Sequence, residues 1–335
     1  MKIKNQLQTL FKRFFQFIFK IIYGKIIYNI NSSESKNLDI KSIKSDHIKK
    51  FSNEDYLINR IFNGRIYTDC VEHVAIIDGN SIVKDASYQQ ISGELKDASN
   101  NIVLEKGTPR IKKKYKGKIF SLAQGASGNN NYFHWMFDIL PKIRIFSENY
   151  DLNEINYFYA PKLQDWQKKT LVKLDLDEKK FLDCFSNRHI EADQIISVDH
   201  PWYHKGTILS QAEFMPNWII TWLKEIYLSC EKKFDNNEKV FIDRSESIYN
   251  HCQIINQEEV FDFLNKKKFT KYKVGQLSFE EQIYLFHNAK IIVGPHGAAF
   301  TNLIFCQPNT NVIEIMPKAN PNKVNKTISK INNLK

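Results

Sequence analysis

Apolar and polar residues alternate along the middle of the chain in the manner of strands followed by helices. Short apolar runs predict buried strands at 119–123, 155–159 and 194–198. Helical spacing predicts a helix over 132–146, where Pro141 kinks or ends its first part, and another over 166–174. A chain that alternates strand and helix predicts a parallel sheet.

The same alternation resumes after residue 212. An amphipathic helix is predicted over 215–230, with Pro216 near its start, and we place the domain junction just before it. Beyond it, the pattern predicts strands at 239–242, 272–274, 290–293 and 311–315. Helices are predicted between them at 257–265, 279–288 and 298–305. Because no repeat of fixed period occurs, solenoids and propellers are excluded, and two doubly wound α/β domains remain.

The first part of the chain follows a different pattern. Residues 31–60 are rich in Ser, Asn, Lys and Asp, which predicts a linker or a poorly packed connection. Apolar runs at 74–77 and 82–83, separated by a turn that begins Asp78-Gly79, predict a β-hairpin. We therefore expect an amphipathic helix and linker over 1–60, an N-terminal domain over 61–212 and a C-terminal domain over 213–335.

The N-terminal segment is strongly apolar over residues 11–28. Lys20 and Lys25 interrupt it before the roughly 18 uncharged residues that a spanning helix needs, and no small-residue cleavage site follows it. Its apolar residues lie three or four positions apart with polar residues between them, which predicts an amphipathic helix. Two interpretations stay open: a basic helix that lies in a membrane interface, and a helix packed on the protein's own core.

The composition fits a folded protein, since 42% of the residues are hydrophobic and 25% are charged. The net charge of +11 is concentrated in residues 1–30 and in the run Arg110–Lys118. The five cysteines form no C-x-x-C pair, which argues against a disulfide framework or a zinc site and favours a reducing compartment.

The segment Gly294-Pro-His-Gly297 joins a predicted buried strand to the next helix. Backbone N–H groups and the helix dipole would face a ligand beyond the strand, and that geometry suits a diphosphate. Gly297 and Ala298 would let the backbone approach closely, while His296 and Thr301 would add hydrogen bonds. The alternative is an ordinary tight turn from strand to helix.

His134 and Asp138 are four residues apart on a predicted helix and therefore share a face. The carboxylate would orient the imidazole and raise its basicity, which would make the pair a general base. The alternative is a partly buried histidine that its neighbour caps for structural reasons.

Arg244 and Glu314 each stand at the end of a predicted strand. Arg244 follows the strand 239–242, where a guanidinium can grip phosphate in a bidentate manner. Glu314 lies at the end of the strand 311–315, the position from which α/β nucleotide sites often bind ribose hydroxyls. The respective alternatives are a surface salt bridge and a solvated edge.

Two other motifs carry less information. Asp175-Leu-Asp177 has the Asp-x-Asp form by which some sugar transferases hold a metal, but it ends a lysine-rich helical stretch rather than a strand. The basic run Arg110–Lys118 lacks the aromatic platforms and repeated stripe of nucleic-acid binders. We therefore expect no nucleic acid, and a solvated loop or a face toward anionic lipid or an anionic acceptor.

Four motifs, taken together and in order, resemble glycosyltransferase family 61, which includes plant xylan-modifying enzymes, extracellular O-GlcNAc transferases and bacterial capsular polysaccharide biosynthesis proteins. The motifs are Asn131–Pro141, Phe241–Arg244 followed by Ile254–Val260, Leu277–Ile283, and Gly294–Asn302 running to Val312–Ile315. They cover about residues 119–317. Four ordered motifs are far more specific than any one of them.

The resemblance implies a GT-B architecture, in which two Rossmann-like domains face a cleft. It further implies an inverting, metal-independent transfer of a hexose or pentose, with a nucleotide-diphosphate sugar as the donor and no cofactor. The acceptor would be a surface or capsular glycan, free or lipid-linked. The residues that would hold the donor are Arg244, Gly294, His296, Gly297, Ala298, Thr301, Asn302 and Glu314, with Glu314 on the ribose. His134, as the catalytic base, and Asp138 would face the acceptor.

The chain departs from the family pattern at two places. Cys252 and Gln253 stand where a second basic residue is common, and Gln257 replaces the usual acid. These departures motivate an alternative function, a catalytically inactive nucleotide-sugar-binding scaffold of a polysaccharide assembly complex. Under either function we expect a bacterial, cytoplasmic protein, bound peripherally to the inner face of an anionic plasma membrane.

Overall fold

A computed structural model describes residues 2–28, 35–70, 72–91, 94–125, 131–203, 206–207, 212–228, 238–245, 252–318 and 323–335. The chain forms two compact units. Unit 1 consists of Met1–Asn130, Phe137–Leu163 and Asp177–Ile208, and unit 2 consists of Asn131–Met136, Gln164–Leu176 and Leu209–Lys335. Two short segments that the sequence assigns to the N-terminal domain thus cluster with the C-terminal unit.

The strands of unit 1 are β1 (Ile27–Tyr28), β2 (Leu38–Ile43), β3 (Tyr56–Phe62), β4 (Arg65–Cys70), β5 (His73–Asp78), β6 (Ser81–Ile82), β7 (Gln89–Ile91), β8 (Glu94–Lys96), β9 (Lys113–Ser121), β10 (Tyr157–Ala160), β11 (Phe181–Asp183), β12 (His189–Val198) and β13 (Gly206–Thr207). The strands of unit 2 are β14 (Lys239–Ile242), β15 (Thr270–Tyr272), β16 (Ile291–Pro295) and β17 (Asn311–Ile315).

The α-helices are α1 (Lys2–Tyr23), α2 (Val103–Lys106), α3 (Tyr132–His134), α4 (Leu140–Ser147), α5 (Asp165–Val172), α6 (Asn217–Tyr227), α7 (Gln257–Lys266), α8 (Phe279–Asn288) and α9 (Val324–Ile331). A π-helical turn covers Trp135–Ile139. The 3₁₀ helices are Ala98–Asn100, Leu152–Glu154, Glu178–Lys180, Ala212–Phe214, Val274–Gln276 and Ala298–Phe305. Among the described residues, no helix combines the length and the apolarity needed to cross a membrane.

The main sheet of unit 1 is mixed. Its parallel part is the predicted one, since β9 runs parallel to both β10 and β12, and β10 runs parallel to β11. On its other edge, β12 pairs antiparallel with β3 and β4. The prediction of a doubly wound parallel sheet therefore holds for β9–β12 and is wrong for the strands before β9, which pair mainly antiparallel. Among these, β4, β5 and β6 follow one another through short turns, which join antiparallel neighbours and leave no room for a crossover helix.

The predicted linker over 31–60 is wrong in its described part. β2 and β3 form an antiparallel pair in full register, from Leu38 opposite Ile61 to Ile43 opposite Tyr56. Ile43, Tyr56 and Ile58 are buried. Lys41 and Ser42, two of the polar residues that suggested a linker, are exposed in β2. The hairpin predicted around Asp78-Gly79 is confirmed, with β5 antiparallel to β6.

The sheet of unit 2 is parallel throughout its described strands, in the order β15, β14, β16, β17. The parallel sheet predicted from the apolar runs after residue 212 is therefore confirmed. Phe241 and Val293, which lie opposite each other on β14 and β16, belong to a buried apolar cluster. Val260 and Phe261 of α7 pack against that cluster. Because all the strands run in one direction, their carboxyl ends meet at one edge of the sheet.

The predicted helix over 132–146 is interrupted. Its first turn, Tyr132–His134, begins at Asn131, whose side chain accepts a hydrogen bond from the backbone N–H of Phe133 at 2.9 Å. A π-helical turn follows, and Pro141 occupies the first turn of α4. Proline at that place costs no hydrogen bond, since the first N–H groups of a helix have no partner in the helix.

Candidate functional site

Two neighbouring strand ends of unit 2 carry the residues that the sequence singled out. β14 ends at Ile242 and leads to Arg244, while β16 ends at Pro295 and leads to His296 and Gly297. The strands are parallel neighbours, so both sets of residues lie at the carboxyl edge of the sheet. A Cβ atom at Gly294 would lie 2.7 Å from Cβ of Ile242, so glycine allows these two strands to pack closely.

The Arg244 side chain lies directly on the turn after β16. One guanidinium nitrogen donates a hydrogen bond to the backbone carbonyl of His296. A Cβ atom at Gly297 would lie 2.5 Å from both Cζ and Nη1 of Arg244. Arg244 therefore lies against this turn, and the guanidinium occupies the space that any larger residue at 297 would need.

Burial lowers the pKa of Arg244 from its ordinary value. The cause is desolvation, which disfavours the charged form. An arginine remains protonated despite such a change. A partly desolvated guanidinium therefore gains more from an anionic ligand than a fully hydrated one does.

His296 is held by two residues of the same unit. Its Nδ1 lies 2.5 Å from Oε1 of Glu314, which stands opposite Gly294 in β17. Asn325 of α9 donates a hydrogen bond to the same carboxylate oxygen. The backbone N–H of His296 donates to the carbonyl of Ile315 at 2.9 Å. Proton placement on the imidazole follows from this network, which puts hydrogen on Nδ1 and leaves Nε2 for another partner.

The contacts of Glu314 in the structure are with side chains of its own unit. Its carboxylate already accepts hydrogen bonds from His296 and Asn325, whereas the sequence predicted a contact to a ribose. Asn325 is 5% exposed and was not among the predicted site residues. An Asn in an amphipathic C-terminal helix carries no chemical signature of its own, so only the packing of α9 reveals its role.

The segment after Gly297 winds as a 3₁₀ helix, Ala298–Phe305. Ala298 is half-buried, whereas Thr301 is 1% exposed. The hydroxyl oxygen of Thr301 has no hydrogen-bond partner among the described residues. Most buried hydroxyls in proteins are hydrogen-bonded, so the Thr301 hydroxyl has the capacity for one further hydrogen-bond partner.

Asn302 has a different environment from its predicted one. It is fully buried, its side-chain oxygen accepts a hydrogen bond from the Tyr132 hydroxyl at 2.6 Å, and its side-chain nitrogen donates to Oε1 of Gln282 at 3.0 Å. Burial raises the pKa of Tyr132 well above its ordinary value. Asn302 therefore connects the segment that carries His134 with α8, and its amide group is committed inside unit 2.

His134 and Asp138 fall in different units, His134 in unit 2 and Asp138 in unit 1. His134 is half-buried at the end of α3. Asp138 is fully buried, accepts a hydrogen bond from Trp202 Nε1 at 2.8 Å, and lies 3.6 Å from Nε2 of His200. The spacing of four residues assumed a regular α-helix, whereas the π-helical turn over Trp135–Ile139 changes the angle between successive residues.

A second polar cluster therefore surrounds Asp138 in unit 1. His200 follows β12, and its Nδ1 accepts hydrogen bonds from the backbone N–H groups of Trp202 and Tyr203. His200 and Trp202 were not among the site residues predicted from the sequence. Both lie more than 60 residues from Asp138 along the chain, and no local pattern links them.

Lys142 is the most unusual member of this cluster. It is fully buried, and its Nζ donates to the backbone carbonyls of Leu122 at 3.1 Å and of Gln124 at 2.7 Å. Desolvation lowers the pKa of Lys142 to about 7, although the charge of Asp138 acts in the opposite direction. The residue thus fixes the turn that follows β9, the strand parallel to β12.

The two weaker motifs have ordinary structural roles in the described residues. The carboxylate of Asp177 accepts a hydrogen bond from the backbone N–H of Lys179 and so caps a short 3₁₀ helix. Within the described ranges, no three His, Cys, Asp or Glu side chains are grouped to hold a metal ion. In the basic run, Lys112 and Lys114 both pair with Glu191, and Lys118 pairs with Glu154. Three of the six basic residues of the run therefore pair with two carboxylates, and the run keeps a net positive charge.

Comparison with known protein families agrees with the motifs. The family model "Glycosyltransferase 61" matches residues 132–313, more than half of the chain. The chain belongs to glycosyltransferase family 61. The matched region contains His134, Arg244 and the segment Gly294–Asn302, while Glu314 and Asn325 follow it.

Two curated relatives match shorter segments. A beta-1,2-xylosyltransferase of Arabidopsis thaliana is 31% identical over 77 residues, which are 19% of this chain and 14% of that protein. An EGF domain-specific O-linked N-acetylglucosamine transferase of Gallus gallus is 35% identical over 68 residues, which are 19% of this chain and 13% of that protein. The matches thus cover about a seventh of the length of these relatives.

Proposed function

We propose that this protein is an inverting glycosyltransferase that moves a hexose or pentose from a nucleotide-diphosphate sugar to a glycan acceptor. One observation carries the proposal: the Arg244 guanidinium lies on the Gly294–Gly297 turn at the carboxyl edge of a parallel sheet. Family membership supports the reaction class. The names of the two relatives, a xylosyltransferase and an N-acetylglucosamine transferase, agree with a pentose or an amino-hexose donor.

In this proposal, the turn and Arg244 bind the donor diphosphate. The guanidinium would contact its oxygens, and the backbone N–H groups that begin the 3₁₀ helix Ala298–Phe305 would add further donors. The hydroxyl of Thr301 and Nε2 of His296 supply two more polar atoms. Glu314 acts here through His296, which it orients, and a contact between Glu314 and the ribose stays a prediction.

The reaction needs a base and a stabilised leaving group. The acceptor oxygen attacks the anomeric carbon, the bond from that carbon to the diphosphate oxygen breaks, and the acceptor proton passes to a base. We assign the base to His134. Negative charge grows on the diphosphate as it leaves, so Arg244 stabilises the transition state more than the ground state. The proposed transfer uses no metal, and a chelator tests that point.

The acceptor we propose is a surface or capsular glycan, assembled at the cytoplasmic face of a bacterial plasma membrane. The resemblance of the ordered motifs to capsular polysaccharide proteins suggests the acceptor. The described cysteines Cys70, Cys184, Cys252 and Cys306 are free thiols, and free thiols are typical of a reducing compartment.

Release of nucleoside diphosphate from a panel of nucleotide sugars tests the function directly. We expect the wild-type protein to turn over one donor in the presence of chelator, and Arg244→Ala to lower that rate by a hundredfold or more, on the order expected for a lost transition-state donor. Lys290→Ala is the matched control, because it removes a positive charge beside the amino end of the adjacent strand β16.

His134→Ala separates catalysis from binding. It should abolish turnover while the donor still binds. Donor binding with no turnover in any variant, wild type included, would contradict the proposal and indicate a nucleotide-sugar-binding scaffold instead.

A further inference from the structure

Helix α1 is attached to unit 1 by the polar side of its last turns. Lys20 Nζ donates a hydrogen bond to the backbone carbonyl of Glu105 at 2.6 Å. The Tyr23 hydroxyl accepts one from the backbone N–H of Lys112 at 3.0 Å, and the Tyr23 ring packs edge-on against His189 with 4.9 Å between ring centroids. The helix is therefore fixed at its carboxyl end.

The apolar side of the same helix is exposed. Leu10, Phe14, Phe17 and Ile21 are between 59% and 69% exposed. At 3.6 residues per turn these four side chains fall within an arc of about 60°, and Tyr23 lies about 150° from the centre of that arc. The side that contacts unit 1 is thus not the apolar side. For the described residues, the exposure of these side chains excludes the interpretation that α1 buries this apolar face on the core of unit 1.

A basic residue borders this apolar arc. Arg13 is exposed and lies about 40° beyond one edge of the arc, whereas Lys12, which is also exposed, lies on the far side of the helix near Tyr23. Residues 1–33 contain no Asp or Glu. Long basic side chains at such positions can place their charges on phosphate groups while their methylene stems stay with the apolar side chains.

We propose that the face formed by Leu10, Phe14, Phe17 and Ile21 lies in the interface of an anionic lipid bilayer, with Arg13 on its headgroups. A bulky apolar face on a helix whose charged residues are all basic is the pattern of interfacial helices. A second copy of the chain fits less well, because pairing two helices that carry no acidic residue would bring like charges together. This inference is independent of the proposed enzymatic function.

Co-sedimentation of the full chain with vesicles tests the surface. The probes are vesicles of phosphatidylcholine alone and of phosphatidylcholine mixed with phosphatidylglycerol. We expect binding to the mixed vesicles, and we expect salt to weaken it. Neutralising the charge by Arg13→Gln should weaken vesicle binding about fivefold, the loss expected for one basic residue near the membrane surface.

Phe14→Glu should abolish vesicle binding, whereas Thr9→Glu, which introduces the same charge on the polar side of the helix, should retain most of it. Thermal unfolding and nucleotide-induced stabilisation of each variant show that the fold and the proposed donor site are intact. Absence of binding to anionic vesicles by the folded wild-type protein would overturn the inference. Equal binding by Phe14→Glu and wild type, or a dimer that Phe14→Glu dissociates without any vesicle binding, would also overturn it.

Discussion

Replacing Gly297 by alanine should damage the candidate donor site by moving Arg244. The backbone at Gly297 is extended, with φ 164° and ψ 179°, so alanine causes no backbone strain there. Its methyl carbon would lie 2.5 Å from Cζ of Arg244, whereas carbon atoms in contact are about 3.5 Å apart. The guanidinium must therefore shift by about 1 Å.

A shift of that size is enough to break the hydrogen bond from Arg244 to the carbonyl of His296 and to misplace the guanidinium relative to a diphosphate. Misplacing a reacting group by about 1 Å can cost about a hundredfold in rate. We therefore expect Gly297→Ala to lower donor turnover by about a hundredfold and to weaken nucleoside diphosphate affinity. The free energy of unfolding should change by less than about 1 kcal/mol, because the altered group is half-exposed.

Titration calorimetry with a nucleoside diphosphate and a turnover assay measure these effects. The decisive control is the double variant with Arg244→Ala. Because Gly297→Ala acts through Arg244, it should add almost nothing once that side chain is absent. Additive losses in the double variant, or a Gly297→Ala protein with normal affinity and turnover, would refute the reasoning.

Three further predictions concern buried polar groups. In unit 1, folded Lys142 loses its proton near pH 7 and unfolded lysine near pH 10.4, so wild-type stability should rise with pH across that window by at most about 5 kcal/mol; denaturant unfolding of Lys142→Met should lack this rise. Asn302→Ala should lower the free energy of unfolding by about 2–4 kcal/mol, since it leaves the buried groups of Tyr132 and Gln282 unpaired; unchanged urea midpoints would contradict this. Glu314→Gln should weaken donor affinity about fivefold by calorimetry, because a neutral acceptor orients His296 less strongly, and an unchanged affinity would exclude that role.

The sequence predicted the features that depend on local pattern. Apolar runs alternating with helical spacing identified the parallel sheet of unit 2. Arg244 and the Gly294–Gly297 turn each follow a strand of that sheet, and ligand sites lie at the carboxyl ends of parallel strands, so the sequence placed both at the same edge. The hairpin at Asp78-Gly79 followed from turn chemistry.

The features that depend on packing were not predictable in the same way. Asp138 contacts Trp202 and His200 because a π-helical turn and the end of β12 bring them together. Asn325 reaches Glu314 from a helix with no recognisable motif. The polar composition of residues 31–60 concealed β2, since Ile43 is the one buried residue of that strand.

The most direct test of the donor site is a thermal-shift screen of nucleoside diphosphates and nucleotide sugars, with and without chelator, on the wild-type, Arg244→Ala and Lys290→Ala proteins. A ligand at a hundred times its dissociation constant stabilises the folded state by about 2.7 kcal/mol. We predict a chelator-insensitive shift that Lys290→Ala keeps and Arg244→Ala loses. A shift that Arg244→Ala retains in full, or no shift of the wild-type protein with any nucleotide, would contradict the account.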